Sequence, residues 1–283
     1  MNIYRKLPAA TPDDLHTPAV GEWGRQKYLR LWIYADIFSR AMKNQYANRV
    51  YIDLFSGAGK ATIRETGELV LGSPLLALSV ADPFTRYIFC DKDKQNVDAL
   101  RERVARDYSW ADVRIVHSPI EDAVDQILAH LPPSHSTLDF CFADPYGLEF
   151  DFEIVERLSR GRRMDWLTLL AVQMDAQRNF SHYLNPANDK LERLLNDRAW
   201  RVKWEAAQQE GKRLQPFLVE CYNSAMVKIG YAPPKPSDAH RVKTESRSVP
   251  LYYLLFFSKH ERGYQFWRQA LKYSDAQPSF FDF

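Results

Sequence analysis

The chain has 283 residues and a formal net charge of +2; charged residues make up 26% of it and aromatics 13%. That length suits one large α/β domain with room for a helical appendage. The composition is globular, which excludes a disordered chain and a strongly basic, histone-like binder, so any basic surface must be local. No apolar run follows the first charges, and the longest apolar stretch, Val249–Ser258, is about half of the ~20 residues that span a bilayer. A soluble, cytoplasmic protein is expected, with no membrane partner. Cys90, Cys141 and Cys221 sit in apolar contexts without metal-ligand spacing and read as buried, reduced thiols; no metal is expected.

In chain order, residues 1–20 are rich in Pro, Thr and Asp and read as an irregular lead-in. From Gly21 to Met42 apolar residues recur with helical period (Trp23, Leu31, Trp32, Ala35, Phe38), predicting an amphipathic helix against a sheet, with Arg25 and Lys27 either facing a ligand or, the simpler reading, on its solvated face. Val50 to Leu54 then reads as a buried parallel strand carrying Asp53, ending at once in the small-residue turn Ser56–Gly59. Such a turn lets the backbone approach a ligand. No Gly-Lys-Ser/Thr follows, and position 62 is Thr62, so neither a P-loop nor the full G-x-G-x-x-G is present. The run Asp53-x-Phe55-x-Gly57-x-Gly59 instead resembles the S-adenosylmethionine loop of Rossmann-type methyltransferases. That resemblance makes Asp53, Phe55, Ser56, Gly57 and Gly59 candidate cofactor residues.

Lys60–Gly72 reads as an insertion at the mouth of the presumed pocket, and Ser73-Pro74 opens a helix running to Val80. Tyr87–Cys90 is the next strand; Asp91 at its end is the candidate for the two ribose hydroxyls, while Asp93 equally suits a helix cap. Asp91 lies about 32 residues past Gly59 rather than the usual ~20, and the insertion accounts for the excess. Val113–His117 forms a third strand. The helix after it starts with Glu121 and Asp122; Asp122 is the first candidate for the adenine amino group, although both suit a helix N-terminus.

Leu138–Ala143 is a strongly apolar fourth strand leading into Asp144-Pro145-Tyr146-Gly147. A rigid Asp-Pro turn aims oxygens at an incoming amine, and a tyrosine ring can stack on a planar base. The tetrapeptide resembles the (Asp/Asn)-Pro-Pro-(Tyr/Phe) motif of amino-methyltransferases, with Tyr146 in place of the second proline. Asp144, Pro145 and Tyr146 are therefore the candidate catalytic residues. Trp166–Val172 reads as a fifth strand ending in a polar cluster, where Arg178 and Asn179 could hold a phosphate or a base or form a plain loop. Residues 186–240 read as a helical insertion with a solvated layer. Arg241–Ser248, with Lys243 and Arg247, gives a basic approach to a final strand, Val249–Phe257, compatible with nucleic acid. Gly263–Tyr273 is the last helix. In the tail, residues 274–283, Gln277-Pro-Ser-Phe-Phe281 resembles the peptide that bacterial proteins insert into the DNA sliding clamp, although packing on its own domain explains the aromatics too.

Together these predict one doubly wound, mostly parallel α/β domain over residues 21–273, a Rossmann-like methyltransferase fold with a helical appendage. The combined pattern resembles the three-Cys-motif partner protein (TcmP) family. It rests on Val20-Gly-Glu-Trp23 with Lys27, Val50–Gly59, Gly72-Ser-Pro-Leu-Leu-Ala-Leu78, Asp144–Gly147, and Tyr252–Lys259 with Gly263 and Trp267. The resemblance implies a companion protein similar to radical-SAM enzymes related to spore photoproduct lyase, and hence a link to DNA repair. Two readings of function follow: a methyltransferase acting on a nucleic-acid base nitrogen, or a largely non-catalytic partner that keeps the fold and holds a companion enzyme or DNA. Cytosine C5 chemistry is excluded, because no cysteine follows a proline.

Overall fold

A computed structural model describes residues 6–148, 150–171, 179–243 and 250–275. Its strands are β1 (Ala19–Val20), β2 (Asn48–Asp53), β3 (Lys60–Ile63), β4 (Leu69–Leu71), β5 (Arg86–Asp91), β6 (Val113–His117), β7 (Thr137–Ala143), β8 (Met164–Leu170), β9 (His240–Lys243) and β10 (Pro250–Phe257). The helices are α1 (Trp23–Met42), α2 (Ser73–Leu78), α3 (Lys94–Asp107), α4 (Ile120–His130), α5 (Phe152–Ser159), α6 (Phe180–Leu184), α7 (Lys190–Leu195), α8 (Trp200–Gln209), α9 (Leu214–Lys228) and α10 (Glu261–Asp275). None of the described helices is long and apolar enough to cross a membrane.

The main sheet has seven strands in the order β6-β5-β2-β7-β8-β10-β9. The five from β6 to β8 are parallel, and β10 is antiparallel to both its neighbours. This is the doubly wound, mostly parallel Rossmann-like methyltransferase fold that the sequence predicts. The order reverses at β2, with β5 and β6 laid down to one side and β7 and β8 to the other. In such sheets the ligand crevice opens outside the carboxyl ends of the strands at that point.

Side chains of period two divide each strand between two cores. Val50, Ile52, Ile88, Cys90, Cys141 and Ala143 face one side and pack with α4, α5 and the α7–α9 helices. Tyr51, Tyr87, Phe89, Phe140 and Phe142 face the other, against α1, α2 and α10. The bulky residues thus sit under α1, where Tyr34 meets Phe140 edge-on at 4.7 Å and Phe256 at 4.8 Å, and its hydroxyl donates to Asp165 Oδ2 at 2.6 Å. Truncating a buried phenylalanine such as Phe140 would cost about 3–5 kcal/mol.

The structure refines several expectations. The expected insertion at residues 60–72 has strands of its own: β3 and β4 form a hairpin turned at Gly67 (φ +70°), and β1 joins it in parallel, Ala19 opposite Thr62. Ile63, Val70 and Leu71 are buried, which is what two such short strands need to hold. The lead-in is accordingly less irregular than its composition suggests. The helices of residues 186–240 keep an exposed polar face and also bury Trp200 and Trp204 in the core; they end at Lys228, and His240 already begins the edge strand β9. Finally, Cys90 and Cys141 are buried as expected, whereas Cys221 is only half-buried.

Candidate functional site

At the carboxyl end of β2, the Asp53 carboxyl is fully buried. It accepts from the Tyr51 hydroxyl at 3.1 Å, from the Phe55 amide at 3.3 Å, and from the Ser73 side chain. Burial outweighs these donors and pushes its pKa up to about 7, with Asp144 adding to the effect. The loop that follows is tied at four successive residues, twice to β5, once to α3 and once to the start of α2. The Ser56 amide donates to the Cys90 carbonyl at 2.9 Å, and the Gly57 amide to Asp91 Oδ2 at 2.7 Å. The Ala58 carbonyl accepts from Arg103 Nη1 at 2.5 Å, and the Gly59 carbonyl from the Gly72 amide at 2.8 Å. Gly57 and Gly59 have φ of +62° and +87°, a backbone that favours glycine, and at Gly59 a Cβ would also lie 2.9 Å from Leu100 and 3.0 Å from Leu75, leaving no room for a side chain. The Ser56 hydroxyl is buried and has no hydrogen-bond partner among the described residues. The Phe55 ring meets Phe150 edge-on at 5.7 Å.

On the neighbouring strand, Asp91 ends β5. Its second oxygen accepts from the Asp93 amide at 2.8 Å and from Asn96 Nδ2 at 3.2 Å. Asp93 caps α3, accepting from the Gln95 amide at 2.7 Å, so the two acids divide the work: Asp93 holds the helix and Asp91 holds the loop. Glu121 and Asp122 stand exposed in the first turn of α4, beyond β6. Carboxylates therefore terminate β2 and β5 and stand just past β6, three adjacent strands.

On the other side of β2, Asp144 follows β7. Its Oδ2 is paired with the ammonium of Lys27, one turn into α1. The lysine is buried, while the Asp144 side chain keeps 19% of its surface. Burial alone would lower the Lys27 pKa; the charge of Asp144, with the phenol groups of Tyr28 and Tyr252 adding to it, outweighs burial, and the net direction is up. The Lys27 ammonium also lies over the Tyr28 ring, 4.8 Å from its centroid. Burial raises the pKa of the Tyr28 hydroxyl, which lies within electrostatic reach of Lys27, Asp144, Asp53 and Tyr146. Lys27, Tyr28, Asp53, Asp144 and Tyr146 are thus one group. Pro145 is buried, and Tyr146 beside it is 95% exposed.

No family model and no curated protein matches the chain. Among solved structures it is similar to a Legionella pneumophila protein of the DUF519 type, at 12% identity, covering 87% of this chain and 92% of that one with a TM-score of 0.46. It is also similar to M. jannaschii TYW2 in complex with AdoMet, at 11% identity, 85% and 78% coverage and a TM-score of 0.42. A methyltransferase from Geobacter sulfurreducens follows at 12% identity, 80% and 78% coverage and 0.36. Likeness at this distance assigns no role to any residue of this chain.

The sequence reading of Lys27 as part of a solvated helix face is overturned. Arg25 does lie at the surface, paired with Glu68, but Lys27 turns inward to Asp144. Lys27 sits four residues before Leu31 on the helix's apolar stripe, but that spacing does not say how deeply the stripe is buried at its N-terminal end. Tyr28 and Tyr252 were missed because a tyrosine at helix or strand spacing reads as core. The candidate substrate residues are not brought into this group by any described contact. Asn179 precedes α6, and Lys243 lies on the edge strand β9, where its side chain is outside the described atoms. Arg178, Arg247 and Gln277–Phe281 lie outside the described residues. A separate cavity of about 430 Å³, between α8 and α9 and lined by Lys203, Lys212, Phe217 and Cys221 among others, shares no residue with the Asp53–Asp144 group.

Proposed function

We propose that this chain is an S-adenosylmethionine-dependent methyltransferase acting on a nitrogen of a nucleic-acid base. The observation that carries the reading is the placement of Asp144, partly open and oriented by Lys27, beside the Asp53 loop with the solvent-facing Tyr146 ring next to it. Two features of the empty-handed residues fit the cofactor. Asp53 is a buried acid that no ion pair reaches among the described residues, and an ammonium group would complete it. The orphaned Ser56 hydroxyl lies in the adjoining loop. Asp53 with Phe55, Ser56, Gly57 and Gly59 would hold the methionine moiety, Asp91 the ribose hydroxyls, and Asp122 the adenine amine.

When bound, the cofactor supplies an electrophilic methyl group. Asp144 would accept a hydrogen of the incoming amine and so aim its lone pair, while Lys27 fixes the carboxylate's orientation. Pro145 keeps the turn rigid, and Tyr146 stacks on the base. A base in a duplex would have to be flipped out to reach them. Arg178, Asn179, Lys243 and Arg247 would contact the nucleic-acid backbone. We further assign the chain to the three-Cys-motif partner protein family on the motifs quoted above. That places it beside a radical-SAM-like companion in DNA repair or modification, in the cytoplasm, with Gln277–Phe281 available for a sliding clamp.

One observation favours a second reading, a non-catalytic scaffold for that companion or for DNA: Lys27 already occupies Asp144. Calorimetric titration with S-adenosylmethionine, followed by transfer of labelled methyl to DNA and RNA oligonucleotides, separates the two. Micromolar binding that Asp91→Ala abolishes, with transfer that Asp144→Ala abolishes, supports the enzyme. Binding without transfer to any acceptor supports the scaffold, and no binding by the folded chain removes the cofactor from both.

A further inference from the structure

Arg103 on α3 is fully buried, and its guanidinium spends every hydrogen on two segments only. Nε and Nη2 hold Asp13 at 3.0 and 2.6 Å, and Nη2 also reaches the Thr17 hydroxyl at 3.0 Å. Nη1 bridges the carbonyl of His16, at 3.0 Å, to that of Ala58 in the glycine loop. Lys60, the residue after that loop, is buried too and donates to Asp13 Oδ2 and to the Thr11 carbonyl, each at 2.7 Å. Two buried cations thus share one carboxylate, with the half-exposed Arg106 a third neighbour at 3.4 Å. Arg103 holds the Asp13 carboxyl well below the usual carboxylate range despite its burial, and Lys60 adds to this.

Ala58 lies between the two positive-φ glycines, where the main chain has the greatest freedom of its own. The other three tethers of the loop come from the sheet, from Asp91 and from the start of α2; only the Ala58 tether runs through Arg103 to the N-terminal segment. Removing Asp13 would leave two buried cations without a counter-charge, and turning Arg103 outward is the direct relief, at the expense of the Ala58 carbonyl.

We propose that residues 11–17 belong to the cofactor site, with Arg103 and Asp13 as positioning residues that hold the Ala58 carbonyl and so pre-shape the loop for its ligand. The ligand's identity rests on the methyltransferase reading above. Pre-shaping contributes affinity by removing the ordering cost at binding.

Hydrogen exchange on the full wild-type chain, with and without saturating S-adenosylmethionine, tests the coupling and needs no variant. The expected result is protection of amides both in 56–59 and in 11–17, where the Leu15 amide bonds Asp13. Protection of the loop with residues 11–17 unchanged would overturn the inference while leaving the methyltransferase reading standing. No protection and no binding heat anywhere would overturn that reading, and this inference with it. In parallel, Asp13→Asn and Arg103→Lys should each weaken binding at least tenfold at a temperature where far-ultraviolet dichroism shows both folded. A dissociation constant within twofold of wild type would make the network purely structural.

Discussion

Asp53 and Asp144 end neighbouring strands of one sheet, yet their electrostatic situations are opposite. Asp53 is fully buried, receives two hydroxyls and an amide, and meets no cation among the described residues, so its pKa climbs to about 7. Asp144 keeps some solvent and has an ammonium of its own in Lys27. One carboxylate is completed within the chain and the other is left incomplete at the point where the winding reverses. An incomplete buried charge is costly to maintain, and a ligand that carries the missing charge recovers that cost on binding. The difference therefore separates a side chain that the fold holds in place from one that waits for a partner.

The largest break in this comparison is at Asp144. Asp144→Ala should lower methyl transfer about 10²-fold or more, because an acceptor is no longer aimed, while the affinity for S-adenosylmethionine stays near wild type. Lys27→Met should destabilise the chain by about 3 kcal/mol in urea unfolding, since it strands a largely buried carboxylate. Combining it with Asp144→Ala should restore part of that loss; strict additivity would mean that the pair is not energetically coupled.

Asp53→Asn inverts the pattern. With a buried charge removed, unfolding stability at pH 8 should hold or rise, whereas the affinity for S-adenosylmethionine should fall about 10–100-fold, the worth of a charged hydrogen bond of ~1.5–3 kcal/mol. The same acid sets a pH dependence. Its folded pKa of about 7 lies above its ordinary value of 3.8, so the folded chain binds the extra proton between them. Its contribution to stability is fully present below the ordinary value and is lost as pH rises through about 7. Binding of a cation must expel that proton. The dissociation constant should therefore rise up to about tenfold per unit as pH falls below 7, and should level off above it. Calorimetry across pH 5.5–8.5 reads this directly, and the dependence should vanish in Asp53→Asn.

The strands were legible because each central one is a short apolar run bounded by turn residues, and β2 is marked by Asp53 followed by a loop with two positive-φ glycines. The place of Asp91 at the end of β5 was legible for the same reason, as the acid closing an apolar strand. Lys27 was not, because a cation on an amphipathic helix reads as solvated unless the depth of its face is known, and depth comes from packing. The network of Asp13, Lys60 and Arg103 was hidden further still. Its members lie 47 and 43 residues apart in the chain, as their numbers give, and each is an ordinary surface residue type. The hairpin at 60–72 escaped because β3 and β4 are too short to show period two, and β9 because its charges resemble a loop.

Tyr146 offers the finest distinction. Its ring is 95% exposed and makes no hydrogen bond or ring contact among the described residues, so Tyr146→Ala should leave unfolding unchanged within about 0.5 kcal/mol. If the ring stacks on a base, the same change should raise KM for a nucleic-acid acceptor by about 5–100-fold, equivalent to ~1–3 kcal/mol per stacked base. Affinity for S-adenosylmethionine should not move, and Tyr146→Phe should behave as wild type, because stacking needs the ring and not the hydroxyl. An effect on the cofactor instead would move Tyr146 to the Asp53 side of the site. An effect of Tyr146→Phe as large as that of the alanine variant would assign the work to the hydroxyl, and the acceptor would then be recognised by a hydrogen bond at its edge rather than by its face.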